Sequence, residues 1–324
     1  MNKCIAVTIG DINGIGMEIL IKSWKKKQIK NFIIFTNKKI IKNYFKKKNI
    51  LKHLNTIDIK KKNYNYQSNK INIYSFNAIS LEDNTYKSLR FAYKFCKIKI
   101  CSGIITLPLR KDLIKNKINK SFIGHTEYFQ KIDNKKYSNM ILFNKKIIVS
   151  PLTTHIKVKN ISKIITRRDY IFKQILNLNN TLKIDFNIKK PKLIISGLNP
   201  HAGENGNIGS EETRIIKPLI TKLKQKGVLI DGPFSADSIL IKKNLKQYNC
   251  FVFMYHDQAL IPFKYISQYS GVNYTGNLSI IRASPDHGTA YDLVGSKNIS
   301  NKSFLNCFKL IKHIYKNRII NDKS

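Results

Sequence analysis

The feature that most limits how this chain can fold is an alternation that begins at its fourth residue. The apolar run "CIAVTI" (4–9) leads into the glycine turn "GDINGIG" and then into the helix-spaced "MEILIKSWKKK". The order recurs in "NFIIFT" then "KIIKNYFKKK", in "KINIYSF" then "TYKSLRFAYKFCKI", and in "SGIITL". Short apolar runs alternating with amphipathic helices predict an α/β fold, a mostly parallel sheet flanked by helices. Such sheets bind ligands at the carboxyl ends of their strands. The second half keeps the style. "MILFNKKIIVSPLTTH" reads as two strands, while "KLIISGL", "CFVFMYH" and "SIIRAS" read as single strands. "RRDYIFKQILNLNNTL", "EETRIIKPLITKLKQ" and "NKSFLNCFKLIKHIYKN" read as helices, no internal repeat is visible, and 57–70 is the most loop-like text.

At 324 residues and 42% hydrophobic, the chain can bury one large core or two medium ones. Its net charge of +40 would ordinarily suggest a nucleic acid or an anionic membrane. Here the excess is Lys, spread along the whole chain among Asn, Ile and Tyr as in "KSWKKKQIK" and "NYFKKKNILK". These residue types are written by A- and T-rich codons, so genome composition accounts for the charge. Aromatics are not interleaved with Arg on one face, as base stacking needs, so no nucleic-acid partner is expected. The uncharged apolar runs are too short to cross a bilayer, so no membrane association is expected. The amino terminus reads straight into a strand without a signal pattern. Five dispersed cysteines with no CxxC spacing fit a reducing cytoplasm.

Five of the seven histidines end an apolar run or open a turn: His125 in "FIGHTEYF", His155 in "SPLTTHIK", His201 in "GLNPHAGE", His256 in "FMYHDQAL" and His287 in "SPDHGTAYD". His53 and His313 sit in Lys-rich helical text and read as surface residues. In a parallel sheet, strand-end imidazoles converge on one edge, which makes a metal site a candidate. A hydrogen-bonded structural role is the plainer reading of any single one, and the sequence spacings form no local metal motif. The loop Gly197–Gly209, "GLNPHAGENGNIG", allows three readings: a plain loop, a phosphate cradle, or a loop that aims His201. Glu211 and Glu212 would complement the dipole of the following helix and repel phosphate, which favours the aimed histidine. Lys264 and Arg282 are candidates for an anion, with Arg282 the stronger signal because it interrupts an apolar run. An internal ion pair with Asp286 is its plain alternative. "GDINGIG" is neither GxGxxG nor a P-loop, and its glycines can serve to pack a helix on a strand.

Taken together, "GDINGIG", "GHTEYF", "TTH", "GLNPHAGENGNIGSEE", "DGPFSADS", "MYHDQALIPFKY" and "IRASPDHGTAYDLVG" resemble the 4-hydroxythreonine-4-phosphate dehydrogenase family of vitamin B6 biosynthesis. The motifs follow the family's order from residue 10 to residue 295. The resemblance implies a two-domain fold similar to isocitrate and isopropylmalate dehydrogenases, with a first domain over 1–121 plus 290–324 and a second over 122–289. It implies a cytoplasmic homodimer with its active site at the subunit interface. The implied reaction is NAD- (or NADP-) dependent oxidation of 4-phosphohydroxy-L-threonine and decarboxylation to 3-amino-2-oxopropyl phosphate, towards pyridoxal 5'-phosphate. A sibling activity on another phosphorylated hydroxy acid, such as 4-phosphothreonate, is the alternative. By motif match, His155, His201 and His256 take the positions that hold one divalent ion (zinc, magnesium or cobalt), one of them from the partner subunit. His125, Thr126, Lys264, Asn273 and Arg282 match substrate-binding positions, with Lys264 also counted as catalytic. Asp237 and Asp257 would orient imidazoles or move a proton. Departures from the family pattern include "GDINGIGME" without its usual prolines, and Leu107 where a glycine is usual. A glycine at a strand end often lets a ligand approach the backbone, so Leu107 puts cofactor affinity in question.

Overall fold

The computed structural model describes residues 3–60 and 62–322, so Lys61, inside the loop-like stretch, lies outside the described residues. The chain divides into two compact units, Met1–Asn134 with Leu278–Tyr315, and Lys135–Asn277 with Lys316–Ser324. His125, Thr126 and Arg282 thereby fall in the first unit, while His155, His201, His256, Lys264 and Asn273 fall in the second.

The first unit opens with β1 (Cys4–Thr8), α1 (Ile15–Lys25), β2 (Phe32–Thr36), α2 (Lys38–Lys47), β3 (Leu54–Thr56) and β4 (Ile71–Ser75). It continues with α3 (Leu81–Lys97), β5 (Cys101–Thr106), α4 (Lys111–Lys117) and α5 (His125–Ile132). The second unit supplies β6 (Asn139–Asn144), β7 (Ile147–Thr153), α6 (Ile161–Ile165), α7 (Arg168–Ile184), β8 (Lys192–Ser196) and α8 (Lys217–Gln225). It goes on with β9 (Leu229–Phe234), α9 (Lys242–Gln247), β10 (Cys250–Tyr255), α10 (His256–Ser267) and β11 (Val272–Gly276). The chain then adds β12 (Arg282–Pro285) to the first unit and closes with α11 (Lys302–Asn321).

In the first unit the strands run β3-β4-β2-β1-β5-β12, and the pairs are parallel. Helices covering both faces of a parallel sheet require apolar residues on both sides of each strand. "FIIFT" and "CSGIIT" are accordingly buried at every position. Helix α3 lies on β1, β2 and β5, capped by Ser80, whose hydroxyl accepts from the Asp83 N–H at 3.1 Å. Its Phe95 meets Phe35 and Tyr74 with ring centroids 4.8 and 4.6 Å away, an edge-on and tilted aromatic cluster.

The "GDINGIG" turn between β1 and α1 packs closely at its glycines, while Gly10–Asn13 also border a cavity with Leu81, Thr85 and Arg110. Gly10 has φ +62°, and a Cβ there would stand 2.5 Å from the Pro108 carbonyl oxygen and 2.8 Å from Leu107 Cβ. Leu107 is 1% exposed, and its Cβ would lie 3.2 Å from a Cβ at Gly16. The leucine in the usual glycine position therefore fills core between β1 and α1.

In the second unit the order is β11-β6-β7-β10-β8-β9. β11, β6 and β7 pair antiparallel, whereas β7, β10, β8 and β9 run parallel. The sheet is thus mixed, and its parallel half sets the carboxyl ends of four neighbouring strands side by side. All five cysteines are free thiols, four of them buried. Among the described residues no helix is long and apolar enough to cross a membrane.

Candidate active site

The parallel half of the second sheet explains why histidines far apart in sequence come to one edge. β7 ends at Thr153, two residues before His155, and β10 ends at Tyr255, immediately before His256. These strands are direct neighbours with Tyr255 paired to Thr153, and the two imidazoles stand 5.9 Å apart between centroids. The next strand, β8, ends at Ser196 and leads to His201, and beyond it β9 leads to Asp237. Strand order alone therefore lays out His155, His256, His201 and Asp237 along one edge of one unit.

His155 and His201 both sit in left-handed backbone, at φ 52° and 51°. Such conformations are uncommon outside glycine and cost of order 1–3 kcal/mol, and they cluster where surroundings impose a functional geometry. His256 opens α10, and its Nδ1 lies 2.6 Å from Asp257 Oδ1. A carboxylate on Nδ1 fixes the ring and leaves Nε2 available as a ligand. Asp237 Oδ1 accepts from Ser235 Oγ at 2.6 Å, and this bond, helped by nearby His201, holds the carboxyl below its ordinary value. Asp237 is thus ionised at neutral pH, which suits a group that orients an imidazole. Imidazole nitrogens backed by carboxylates are a donor set that fits a divalent ion. Among the described residues, no three His, Cys, Asp or Glu side chains are gathered closely enough to hold an ion within one chain.

The first unit holds the other candidate residues. Arg282 starts β12, is 2% exposed, and donates to Thr106 Oγ1 at 2.6 and 3.1 Å, Ser284 Oγ at 3.1 Å and Thr126 Oγ1 at 3.5 Å. Burial pulls its pKa down to about 10, which leaves it charged at neutral pH. Beside Thr126, His125 opens α5, and its Nε2 is sealed from solvent without a hydrogen-bond partner. Burial first, then the charges of Arg282 and Lys111, push His125 well below the usual imidazole range, so the ring is neutral. Lys111 stands against this turn, since a Cβ on Gly124 would be 3.4 Å from its Nζ. Two cations, a neutral imidazole and a hydroxyl converge here beside the Glu127 carboxylate, whose buried Oε2 would lie 2.9 Å from a Cβ on Gly124, a set with a net cationic character that suits an anion.

The remaining candidates are placed less centrally. Lys264 is exposed on α10, eight residues after His256 and so about 12 Å along the helix axis. Asn273 lies in β11 opposite Leu142, and its Oδ1 is buried without a hydrogen-bond partner. His287 Nδ1 lies 2.9 Å from the Gly288 carbonyl in the first unit, His313 is exposed, and His53 packs edge-on against Trp24.

The Gly197–Gly209 loop differs from expectation in one respect. Glu211 and Glu212 stand at the start of the following helix as expected, but instead of capping it their side chains bond back to the loop. Glu212 is 0% exposed and turns back into the loop, where Oε1 accepts from the Leu198 and Asn199 N–H groups at 2.7 and 2.8 Å. The anion cradled by these backbone amides is the chain's own carboxylate, so the phosphate-cradle reading falls. Sequence reasoning named Glu212 but missed its burial in the loop, because a charged residue at a helix start is ordinarily exposed.

An α/β enzyme results, with a buried cluster around Arg282 and His125 in one unit and strand-end imidazoles, one of them backed by a carboxylate, in the other. The chain belongs to the family described as pyridoxal phosphate biosynthetic protein PdxA, whose family model matches residues 28–311. It is 38% identical over 309 residues to a 4-hydroxythreonine-4-phosphate dehydrogenase from Sulfurihydrogenibium sp. (strain YO3AOP1), covering 92% of this chain and 94% of the relative. It is 32% identical over 335 residues to the same-named protein of Bacteroides thetaiotaomicron, covering 97% and 89%. Its fold is similar to the crystal structure of a 4-hydroxythreonine-4-phosphate dehydrogenase from Klebsiella pneumoniae, with a TM-score of 0.81, 28% identity, and coverage of 97% and 98%.

Proposed function

We propose that this protein oxidises the secondary alcohol of 4-phosphohydroxy-L-threonine with NAD (or NADP). The hydroxyl-bearing carbon gives up a hydride to the nicotinamide, and the hydroxyl proton leaves to solvent or a side chain. The β-keto acid then breaks its bond to the carboxylate carbon and releases CO2. The electron pair stays on the α-carbon, which takes up a proton to give 3-amino-2-oxopropyl phosphate. Family membership supports this reading. The observation that carries the site is the His155–His256 pair at the ends of adjacent parallel strands, with Asp257 on His256.

His155, His256 and His201 would hold one divalent ion, with one of the three supplied by the partner subunit of a homodimer. When bound, that ion supplies Lewis-acid polarisation of the substrate's oxygen. Asp257 orients His256, and Asp237 orients His201. Arg282, Thr126 and His125 bind the phosphate or carboxylate, and His125, being neutral, donates or accepts a hydrogen bond without adding charge. Lys264 and Asn273 complete the substrate contacts, with Lys264 also serving as a catalytic residue. The two units act as the two domains of an isocitrate-dehydrogenase-like enzyme in the cytoplasm, a placement inferred from the family resemblance.

NADH formation measured on chelated protein, with zinc, magnesium, cobalt or manganese restored singly, tests the proposal. Metal-restored turnover of 4-phosphohydroxy-L-threonine is the expected result. A folded dimer that turns over 4-phosphothreonate and not this substrate would overturn it.

A further inference from the structure

Five consecutive residues, His201 to Asn205, have φ between 40° and 79°. A left-handed run costs L-residues roughly 1–2 kcal/mol each; among the five, Gly203 escapes the penalty and Asn205 bears less of it. Something must hold this turn, and it lies behind the loop. Glu212 Oε1 takes the Leu198 and Asn199 N–H groups, and its Oε2 accepts from Asn199 Nδ2 at 3.0 Å. Asn199 Nδ2 also donates to Glu211 Oε2 at 2.9 Å, and Glu211 Oε1 accepts from Ser162 Oγ at 2.7 Å. The carboxylate is closed in on two sides by glycines. A Cβ on Gly203 would stand 2.6 Å from Glu212 Oε2, and one on Gly197 would stand 3.0 Å from Oε1. The buried acid thus crowds both glycines, together with Ala202 at Gly197 and the Gly209 carbonyl at Gly203.

From this arrangement we infer that Glu212 is a positioning residue for His201, bracing the left-handed turn so that the imidazole is presented already oriented towards the metal. The inference rests on the proposed role of His201 as a ligand. Pinning Leu198 and Asn199 fixes the chain two residues before His201, and the fit of Gly203 against the same carboxylate fixes it two residues after. The histidine is held from both sides by one side chain that touches neither the ion nor the substrate. Loss of the brace leaves the imidazole in place in sequence but free to sample ordinary right-handed backbone.

The test measures Co2+ dissociation constants by competition with a chelator, without substrate or nucleotide. It uses full-length wild type, Glu212→Gln, Glu212→Ala, His201→Ala and the double variant His201→Ala with Glu212→Gln. Hydrogen exchange of metal-free protein over residues 198–209 is followed alongside, with thermal unfolding to confirm a folded chain. Glu212→Gln keeps the shape and one acceptor oxygen, so it remains usable where Glu212→Ala does not fold. Expected are a weakening of roughly 10–100-fold in Glu212→Gln, faster exchange over 198–209 without metal, and no further loss when Glu212→Gln is added to His201→Ala. Unchanged affinity in His201→Ala would sink the ligand role itself. Weakened affinity in His201→Ala with unchanged affinity in Glu212→Gln would sink only the brace. Equal loss from Glu212→Gln with and without His201 would show a general structural role and overturn the inference as well.

Discussion

His125 shows how one buried residue carries both binding and pH dependence. Its Nε2 is sealed without a partner, and burial with Arg282 and Lys111 nearby depresses its pKa well below 6.5. The unfolded chain binds this proton at about 6.5, whereas the folded chain resists it. Between the depressed folded value and 6.5 the unfolded state therefore holds more protons, and stability rises with pH across that window. His125 thus costs nothing above the unfolded value and destabilises the fold as pH falls below it, by up to about 1.4 kcal/mol per pH unit. His125→Asn should flatten the acid limb. Unfolding midpoints from pH 7.5 to 5.5 should fall more steeply in wild type than in the variant. Parallel curves would show that the imidazole is not kept neutral by the fold. The motif "GHTEYF" marked His125 as a substrate residue, but its neutrality was not legible. That depends on Arg282, 157 positions later, folding back to Thr126 through β12.

At the scale of elements, the sequence is informative wherever a short apolar run meets a turn. β1 was expected at 4–9 and spans Cys4–Thr8, and "MILFNKKIIVSPLTTH" is indeed the hairpin-like pair β6 and β7. Periodicity reports burial, and burial is local enough to be read from neighbours. What periodicity cannot report is strand order. The convergence of His155 and His256 requires β10 to insert between β7 and β8, a long-range choice that no local pattern encodes. The β1–α1 turn is a second case, because its glycines invite a nucleotide reading, and in the structure Gly10 and Gly16 pack on Leu107 while Gly10–Asn13 border a cavity with Leu81, Thr85 and Arg110. Leu107→Gly should therefore lower stability by about 2–5 kcal/mol, the usual range for emptying a buried leucine position, and chemical denaturation measures it. Gly10→Ala should destabilise too, since its φ of +62° and the 2.5 Å approach to the Pro108 oxygen leave no room for a methyl group. A Leu107→Gly protein as stable as wild type, with tighter nucleotide binding, would mean instead that the leucine blocks a ligand path.

At the scale of the whole molecule, the charge of +40 misleads if taken as a ligand signature, whereas the seven motifs in order identify the family directly. The resemblance adds a claim about assembly: one of the three metal imidazoles comes from the partner subunit. Among the described residues of one chain, His155 and His256 are the only imidazoles seen ring to ring with each other, and His201 sits on its own braced loop. Subunit mixing tests the claim without a further structure. His155→Ala, His201→Ala and His256→Ala proteins are each inactive if all three are ligands. When two such proteins are unfolded together and refolded as random dimers, about half the dimers are mixed. If the two altered histidines serve a site from different subunits, each mixed dimer has one site missing both ligands and one site intact. That mixture should regain about a quarter of wild-type turnover. If both altered histidines serve the site from the same subunit, every site lacks a ligand and nothing is regained. Sharing therefore predicts that two of the three pairwise mixtures recover activity, and the mixture that fails names the two imidazoles supplied by one chain. Recovery in none of the three, from dimers shown to exchange subunits, would place the whole metal site within a single chain. The His201 loop would then have to close onto the His155–His256 pair from its own side of the sheet edge.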